Sequence, residues 1–486
     1  MPRRPTEPVL ALPPRADGST ATKWLYDSLR AAILAGRLPP GARLPATRDL
    51  ARHYGLARGT IVAAFELLKA EGYLDARVGS GTRVAAVLPD RLLEAGPRAR
   101  PAGDRTRPRL SQYGRRVQGF PGDPPRIRAF RSNLPALDLF PVSLWAQVAA
   151  RRLRRATTEL LRGSGPMGYA PLQRAVAHYL GASRGVACEP GQVAIVSGVQ
   201  EALDLAARLL LDPGDTVAIE DPGYTGAARL FESQGARVAP VPLDAEGITL
   251  GPGLDGARLV YVTPAHQFPL CMTMSLPRRL ALLDWARRSG ALIFEDDYDS
   301  EYRYAGRPVP ALQGLARHGQ VLFAGSFSKV LFPSLRLGYL VVPPGLVDAV
   351  TAARSITPRH APVPDQAVLA DFIEAGHFGR HLRRMREIYA GRLGALLDGA
   401  AAELAGRLEV SGIEAGLQTA AWLPDDVDAE AVARAAAARQ VEVAPISRYA
   451  RAAKAPNGLV LGFASVDERE IRRGVRELAA VLSRRR

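Results

Sequence analysis

Cysteine is nearly absent from this chain. Cys188 and Cys271 are the only two, far apart and in no CxxC or Cys/His spacing, which argues against a disulfide framework or a zinc site and fits a reducing compartment. Long apolar runs are missing as well: none approaches the roughly 20 residues that a bilayer-spanning helix needs. The opening stretch MPRRPTEPVLALPPRADG is broken by prolines where a secretory leader requires an apolar core. The expectation is a soluble, cytoplasmic protein with no membrane partner. Acidic side chains are in deficit, 48 Asp plus Glu against 64 Lys plus Arg, and the formal charge of +16 suggests a polyanion as partner without proving one. No internal repeat is found. A chain of 486 residues has room for two or three domains and a large core.

Composition and periodicity divide the chain. Residues 1–18 read as a flexible, Pro-rich lead-in, 19–86 as a helical head ending in a hairpin, and 87–131 as a linker rich in Pro and Arg. From 132 to 486 short apolar strands alternate with amphipathic helices. QVAIVS, DTVAIE, ARLVYVT, ALIFEDD, VLFAGS and RLGYLVV are continuous apolar runs, as in a sheet covered on both faces. The predicted class is α/β, a doubly wound, mostly parallel sheet with a smaller α+β subdomain from about 400 to 486.

In the head, Trp24, Leu25, Leu29, Ile33 and Leu34 form one helical stripe, stopped by Gly36 and the Pro39–Pro40 pair. A second helix runs from about Ala46 to Tyr54, capped by Thr47 or started at Pro45. Gly55 permits a tight turn, and a third helix from Arg58 to Ala70 turns Ile61, Val62, Phe65 and Leu68 inward. This is helix-turn-helix spacing, and GYLDARVGSGTRV follows it as a wing of two short strands. The start of the third helix of such a head enters the major groove. Arg58, Gly59 and Thr60 are therefore candidate base readers, and Arg48, Arg77 and Arg83 candidate phosphate partners. A three-helix protein-interaction module is the competing reading, disfavoured by the wing and by the arginine that opens the third helix.

The run LPATRDLARHYGLARGTIVAAFELLKAEGYLDARVGSGTRV resembles the winged-helix DNA-binding domain of GntR-type transcriptional regulators. Arg48, Arg58 and Thr60 stand where that pattern expects them. Ala46 and Ala57 replace its two small polar residues, which removes a hydroxyl contact or cap.

In the body, Lys329 follows the buried run VLFAGSFS. A lysine at the end of a buried strand is costly to keep charged, so its amine becomes available for imine chemistry. A covalent cofactor such as pyridoxal phosphate needs an anion cradle, an acid for the pyridine nitrogen and an aromatic over the ring. Gly198, Val199 and Gln200 open a helix after one strand, with Ser326, Ser328 and Arg336 around the lysine to complete the cradle. Asp296, Asp297 and Tyr298 follow a second strand, and Tyr224 a third. Singly each has a plain structural explanation: a cap, a tight turn, a surface lysine. Jointly they sit where open α/β sheets bind ligands.

The ensemble resembles the fold-type I aminotransferase body, specifically that of MocR/GabR-type regulators, which join it to a GntR-type head. SGVQEALDLAARLLLDPGDTVAIEDPGY, VTPAHQFPLCMTMSLPRRLALLDWA, EDDYDSEYRY and GSFSKVLFPSLRLGY carry the likeness, which with the head covers nearly the whole chain apart from the linker. It implies pyridoxal 5'-phosphate as cofactor, Lys329 as the Schiff-base lysine, Asp296 as partner of the pyridine nitrogen and Tyr298 as a contact to the ring oxygen. It places Tyr224 on the ring face, His266 near the ring, the amides of Val199 and Gln200 and the side chains of Ser326 and Arg336 on the phosphate. It also implies a head-to-tail homodimer on paired half-sites of double-stranded operator DNA.

Three departures stand out. Gly163 occupies the position of a tyrosine that reaches the partner subunit's phosphate, Leu270 and Cys271 replace a Thr-Gly pair, and Val460 replaces the arginine that grips a substrate carboxylate. Arg448 is the nearest substitute for that grip, and equally fits a solvated loop position. Two functions follow: a transcriptional regulator whose body senses an amino-containing small molecule or pyridoxal phosphate itself, and a working aminotransferase with an appended helix-turn-helix module. A purely structural interaction protein would leave the strand-end constellation without purpose.

Overall fold

The computed structural model describes residues 11–15, 18–77, 81–88, 109–118, 127–306, 309–357, 360–452 and 454–483. The chain forms two compact units, Met1–Pro108 and Arg109–Arg486.

Among the described residues the first unit holds three helices and a hairpin: α1 (Ala21–Leu34), α2 (Thr47–Tyr54), α3 (Arg58–Ala70), β1 (Leu74–Arg77) and β2 (Gly81–Val84). Thr20 caps α1 by accepting from the Lys23 amide. The helix-turn-helix angle follows from Gly55, which ends α2 in the left-handed conformation. Leu25, Leu29, Ile33, Leu50, Ile61, Ala64, Phe65 and Leu68 fill the core, closed by Tyr73, Leu74 and Val84 of the wing. Some expectations need correction. Val62 and Leu34 face outward, because the inward stripe of α3 steps from Ile61 to Ala64 and Phe65. Thr47 is the first helical residue of α2 and not its cap; the cap position is Ala46, and like Ala57 ahead of α3 it makes no side-chain cap bond. Part of the lead-in is packed: Leu12 lies against the head's core, and the Pro13 carbonyl accepts from Trp24 Nε1 at 3.0 Å. The expected linker is also partly ordered. Leu88 is buried in the head, Gln112–Arg116 is helical, and Ala129 and Phe130 are buried in the second unit.

The second unit is built on an eight-stranded sheet in the order β3-β10-β9-β8-β7-β4-β5-β6. Its strands are β3 (Val193–Val196), β4 (Thr216–Asp221), β5 (Arg237–Asp244), β6 (Gly247–Ile248), β7 (Ala257–Val262), β8 (Leu292–Asp297), β9 (Val321–Ser326) and β10 (Gly338–Val341). From β9 across to β5 neighbouring strands are parallel, while β10 runs antiparallel to both β3 and β9, and β6 antiparallel to β5. Reversal of β10 matters for the site: its first residue, Gly338, pairs with Ser326 at the end of β9 and Val196 at the end of β3. Residues before β10 therefore meet residues after β3 and β9 at one edge.

A four-stranded sheet, β11 (Glu409–Val410), β12 (Gln418–Trp422), β13 (Ala444–Pro445) and β14 (Gly458–Gly462) in the order β11-β12-β14-β13, makes the smaller C-terminal part. The 27-residue helix His377–Glu403 leads into it from the larger part. Among the described residues no helix is long and apolar enough to cross a membrane.

Adding a hydroxyl at the empty cap tests the account of α2. Ala46→Ser should stabilise the head by about 1 kcal/mol, read in the full chain as slower amide hydrogen exchange across α2, with the body unaffected.

Candidate functional site

The ends of β4, β7, β8 and β9 open onto a cavity of about 340 Å³ lined by Gly198, Val199, Gln200, Tyr224, Tyr261, Thr263, Phe268, Asp296, Tyr298, Ser326, Ser328, Lys329 and Arg336, together with Asn133 and Pro333. The parallel strands present their carboxyl ends there, and the reversed β10 brings Arg336 to the same edge.

Lys329 sits in a short helical turn, Phe327–Val330, directly after β9. Its Nζ donates to the Asn133 carbonyl at 2.7 Å. Burial lowers its pKa to about 8, working against the carboxylates of Asp299 and Asp296, which favour the charged form. Asp296 is raised to about 7, by burial first and despite the hydrogen bond from Tyr261. Its Oδ2 accepts from Tyr261 Oη at 2.6 Å, while its buried Oδ1 has no partner. The Tyr224 hydroxyl accepts from Gln200 Nε2 at 2.8 Å, and its ring stands edge-on to Phe268.

Anion-binding groups gather at the other end. The helix Val199–Leu210 starts after Gly198, whose φ of 131° is a conformation that side-chain-bearing residues rarely adopt. First-turn amides of a helix have no intrahelical acceptor, and the dipole there favours negative charge. Arg336 lies against Gly198 and makes no ion pair among the described residues. Ser326 Oγ accepts from the Ser328 amide at 3.2 Å, and the buried Ser328 Oγ is unpartnered.

Two expected residues lie elsewhere. His266 does not line the cavity. It stacks behind Tyr298, ring centroids 5.8 Å apart, with Nδ1 3.0 Å from both oxygens of Asp299 and 3.1 Å from the Tyr298 hydroxyl. Burial depresses the imidazole, but Asp299 and the Cys271 thiol more than reverse this and raise it to about 10. Arg448 lines an adjoining cavity of about 860 Å³, reached past Asn133, Tyr224 and Phe268. Its guanidinium is held by Glu430 through two bonds of 2.8 and 2.6 Å.

The departures have structural reasons. Val460 is fully buried in a small cluster with Ala420 and Ile446 on which Leu270 packs, on the sheet face opposite the core residues Leu459 and Leu461, so an apolar side chain stands there and supplies no cationic grip. Cys271 takes a left-handed φ of 61°. Gly163 has a φ of 108°, and His360 Nε2 lies 3.1 Å from where a Cβ would sit, so a tyrosine does not suit this backbone.

In the head, Arg48, Arg58 and Gly59 are exposed and Thr60 is half-buried at the start of α3. Arg83 is exposed and bonds the Gly41 carbonyl at 3.1 Å, beside Arg43, which covers Gly81. Arg77 belongs to β1, and its side chain lies outside the described residues. Sequence reasoning missed Tyr261, Thr263, Phe268, Asn133, Gln418 and Asp299. Tyr261 and Thr263 end an apolar strand, a signal available in ARLVYVT; Asn133 and Gln418 reach the site only through tertiary packing.

Unpartnered polar atoms at both ends of the cavity, together with a depressed lysine between them, fit pyridoxal phosphate. The fold and site define a pyridoxal-phosphate-binding, aminotransferase-like body behind a winged-helix head. The GntR family of bacterial regulatory proteins matches residues 21–84, and the aminotransferase class I and II family residues 130–478. The chain is 42% identical over 460 residues to the probable rhizopine catabolism regulatory protein MocR of Rhizobium meliloti, covering 94% of this chain and 92% of that protein. It is 30% identical over 474 residues to the pyridoxine biosynthesis transcriptional regulator PdxR of Corynebacterium glutamicum, covering 98% of each. The body is similar to the solved structure of LysN, an alpha-aminoadipate aminotransferase from Thermus thermophilus complexed with N-(5'-phosphopyridoxyl)-L-leucine, with a TM-score of 0.67, 31% identity, and coverage of 77% of this chain and 95% of that one. The chain belongs to the MocR-type transcriptional regulators, in which a DNA-binding GntR-type head precedes an aminotransferase class I and II body.

Raising the pH through about 8 frees the Lys329 amine. Trapping of Lys329 by a small aldehyde and a hydride reductant should therefore rise with that midpoint. Asp296→Asn removes a carboxylate that favours the charged amine and moves the midpoint down; mass spectrometry of the labelled chain reads it, and an unmoved midpoint refutes the assignment.

Proposed function

We propose that this regulator senses pyridoxal phosphate, or an amino-containing small molecule presented on it, through Lys329. Carrying this reading is the combination of a depressed buried amine with an unpartnered Asp296 oxygen on one side and unpaired anion-binding groups on the other. When bound, the coenzyme supplies an aldehyde carbon that a primary amine can capture. In this reading the unpartnered Asp296 Oδ1 would hold the ring nitrogen, and a cationic nitrogen there would favour the ionised carboxyl. Tyr224 would cover the ring and Tyr298 would meet the ring oxygen, with His266 and Asp299 orienting that phenol from behind. The amides of Val199 and Gln200, with Ser326, Ser328 and Arg336, bind the phosphate, where the arginine gives a forked contact. A Lys329 that is free rather than engaged would make different contacts around it, which would supply differential interaction between two states.

Sustained transamination needs a firm grip on a substrate carboxylate. Val460 offers only a buried apolar side chain and Arg448 is engaged by Glu430, which favours a sensor over a working enzyme. Arg448 remains the candidate effector contact, exchanging Glu430 for an incoming carboxylate. The assembly is a cytoplasmic head-to-tail homodimer whose two heads read paired operator half-sites, with Arg58, Gly59 and Thr60 at base edges and Arg48, Arg77 and Arg83 at phosphates.

Purified protein supplied with pyridoxal phosphate should show a visible absorbance band that shifts with the effector amine and produces little keto acid, and Lys329→Ala should lack the band. Catalytic build-up of keto acid would favour the aminotransferase. On DNA protected upstream of the protein's own gene, Arg58→Ala should relax sequence preference. Arg48→Ala should weaken all sequences alike and flatten the slope of log affinity against log salt by about 0.9.

A further inference from the structure

The hydrogen bond from Lys329 to Asn133 joins residues 196 apart in sequence. Asn133 ends the stretch 127–133, which leads into the packed body from the side of the chain that carries the head. This stretch is held under strain. Phe130 and Asn133 both take left-handed backbone conformations, with φ of 67° and 61°, which asparagine adopts readily and phenylalanine only at a cost. Surrounding contacts enforce it: the Phe130 carbonyl accepts from the Gly462 amide at 2.9 Å, the Ala129 carbonyl accepts from the Glu442 amide at 3.0 Å, and Arg131 pairs with Glu442. At its last residue the Asn133 amide donates to Gln418 Oε1 at 3.0 Å, and its carbonyl receives Lys329. Gln418 is fully buried at the start of β12, and its Nε2 reaches the Tyr298 hydroxyl at 3.4 Å. A continuous path thus runs round the cavity from Tyr298 through Gln418 and Asn133 to Lys329.

We infer that Gln418 and Asn133 are positioning residues that read the state of the lysine: a free Lys329 amine holds 127–133 in its strained form, and an engaged one releases it. The inference rests on the proposed capture of an aldehyde by Lys329. In that step the ammonium and the aldehyde give a protonated carbon–nitrogen double bond and one water, the aldehyde oxygen leaving with two of the three hydrogens. One donor then remains, fixed in direction by the double bond, in place of a freely rotating ammonium. A primary amine that takes over the aldehyde carbon returns the lysine nitrogen with its hydrogens, and the bond to Asn133 re-forms. The stretch 127–133 therefore distinguishes coenzyme alone from coenzyme plus amine, and it does so on the chain that continues toward the head.

Backbone amide exchange in the full-length protein tests this. Without coenzyme, Lys329→Met should exchange the 127–133 amides at least about tenfold faster than the wild type, a local opening confined to that stretch. Lys329→Arg keeps a cationic donor that cannot form the double bond and should restore slow exchange. Gln418→Leu, which removes the acceptor of the Asn133 amide, should also exchange fast across 127–133. Equal exchange in Lys329→Met and wild type, or a loosening spread through the whole body, overturns the inference. These coenzyme-free comparisons are separate from the proposed sensing role, which fails instead if wild-type protein shows no coenzyme band.

Discussion

Burial of the Lys329 amine beside the carboxylates of Asp296 and Asp299 sets two opposing effects against each other. Removal from water disfavours the ammonium, while the two carboxylates favour it, and burial prevails by enough to bring the amine to about 8. An ordinary surface lysine stays protonated near neutral pH and is a poor nucleophile. Here a useful fraction is neutral, yet the charged form is close enough to make a directed bond to Asn133. The cavity, the sheet order and the second layer of side chains all bear on that balance.

The acidic run in and behind the cavity wall is denser than a protein interior normally tolerates. Asp296, Asp297, Asp299 and Glu301 are all buried within six residues of sequence. Each has a distinct partner: Tyr261 for Asp296, Arg184 for Asp297, His266 for Asp299 and Tyr179 for Glu301. Unpaired buried charges cost several kcal/mol each, so these partners are conditions for the site to exist. His266 is informative in this respect. Its ring does not touch the cavity, yet it joins Asp299 to the Tyr298 phenol and so orients a group that does.

Much of this was legible along the chain. Apolar strands announced a sheet covered on both faces, and a functional residue following each strand end was enough to assemble Lys329, Asp296, Tyr224 and the Gly198 turn, because in parallel strands position along the chain translates into position at one edge. Arg336 was found by proximity to Lys329, and the antiparallel course of β10 explains why that worked. Errors fell where facing decides. Val62 and Leu34 are apolar and near a helical stripe, but one step of about 100° puts them outside it. His266 was placed one layer too close, since a motif gives adjacency and not depth. Arg448 was left between a carboxylate grip and a solvated loop position, and its pairing with Glu430, 18 residues away, arises only when the small sheet folds.

Local chemistry, then, is settled by residues a few positions apart: a lysine after a strand, a glycine before a helix, a helix-turn-helix with an arginine opening its third helix. Such features depend on backbone geometry and short-range bonds, which a string of letters carries. Asn133, Gln418 and Lys329 are separated by long stretches of chain and share no periodic pattern. Their meeting depends on how the small sheet seats against the large one, and that is determined by packing of whole surfaces, a quantity written in no single stretch of the chain.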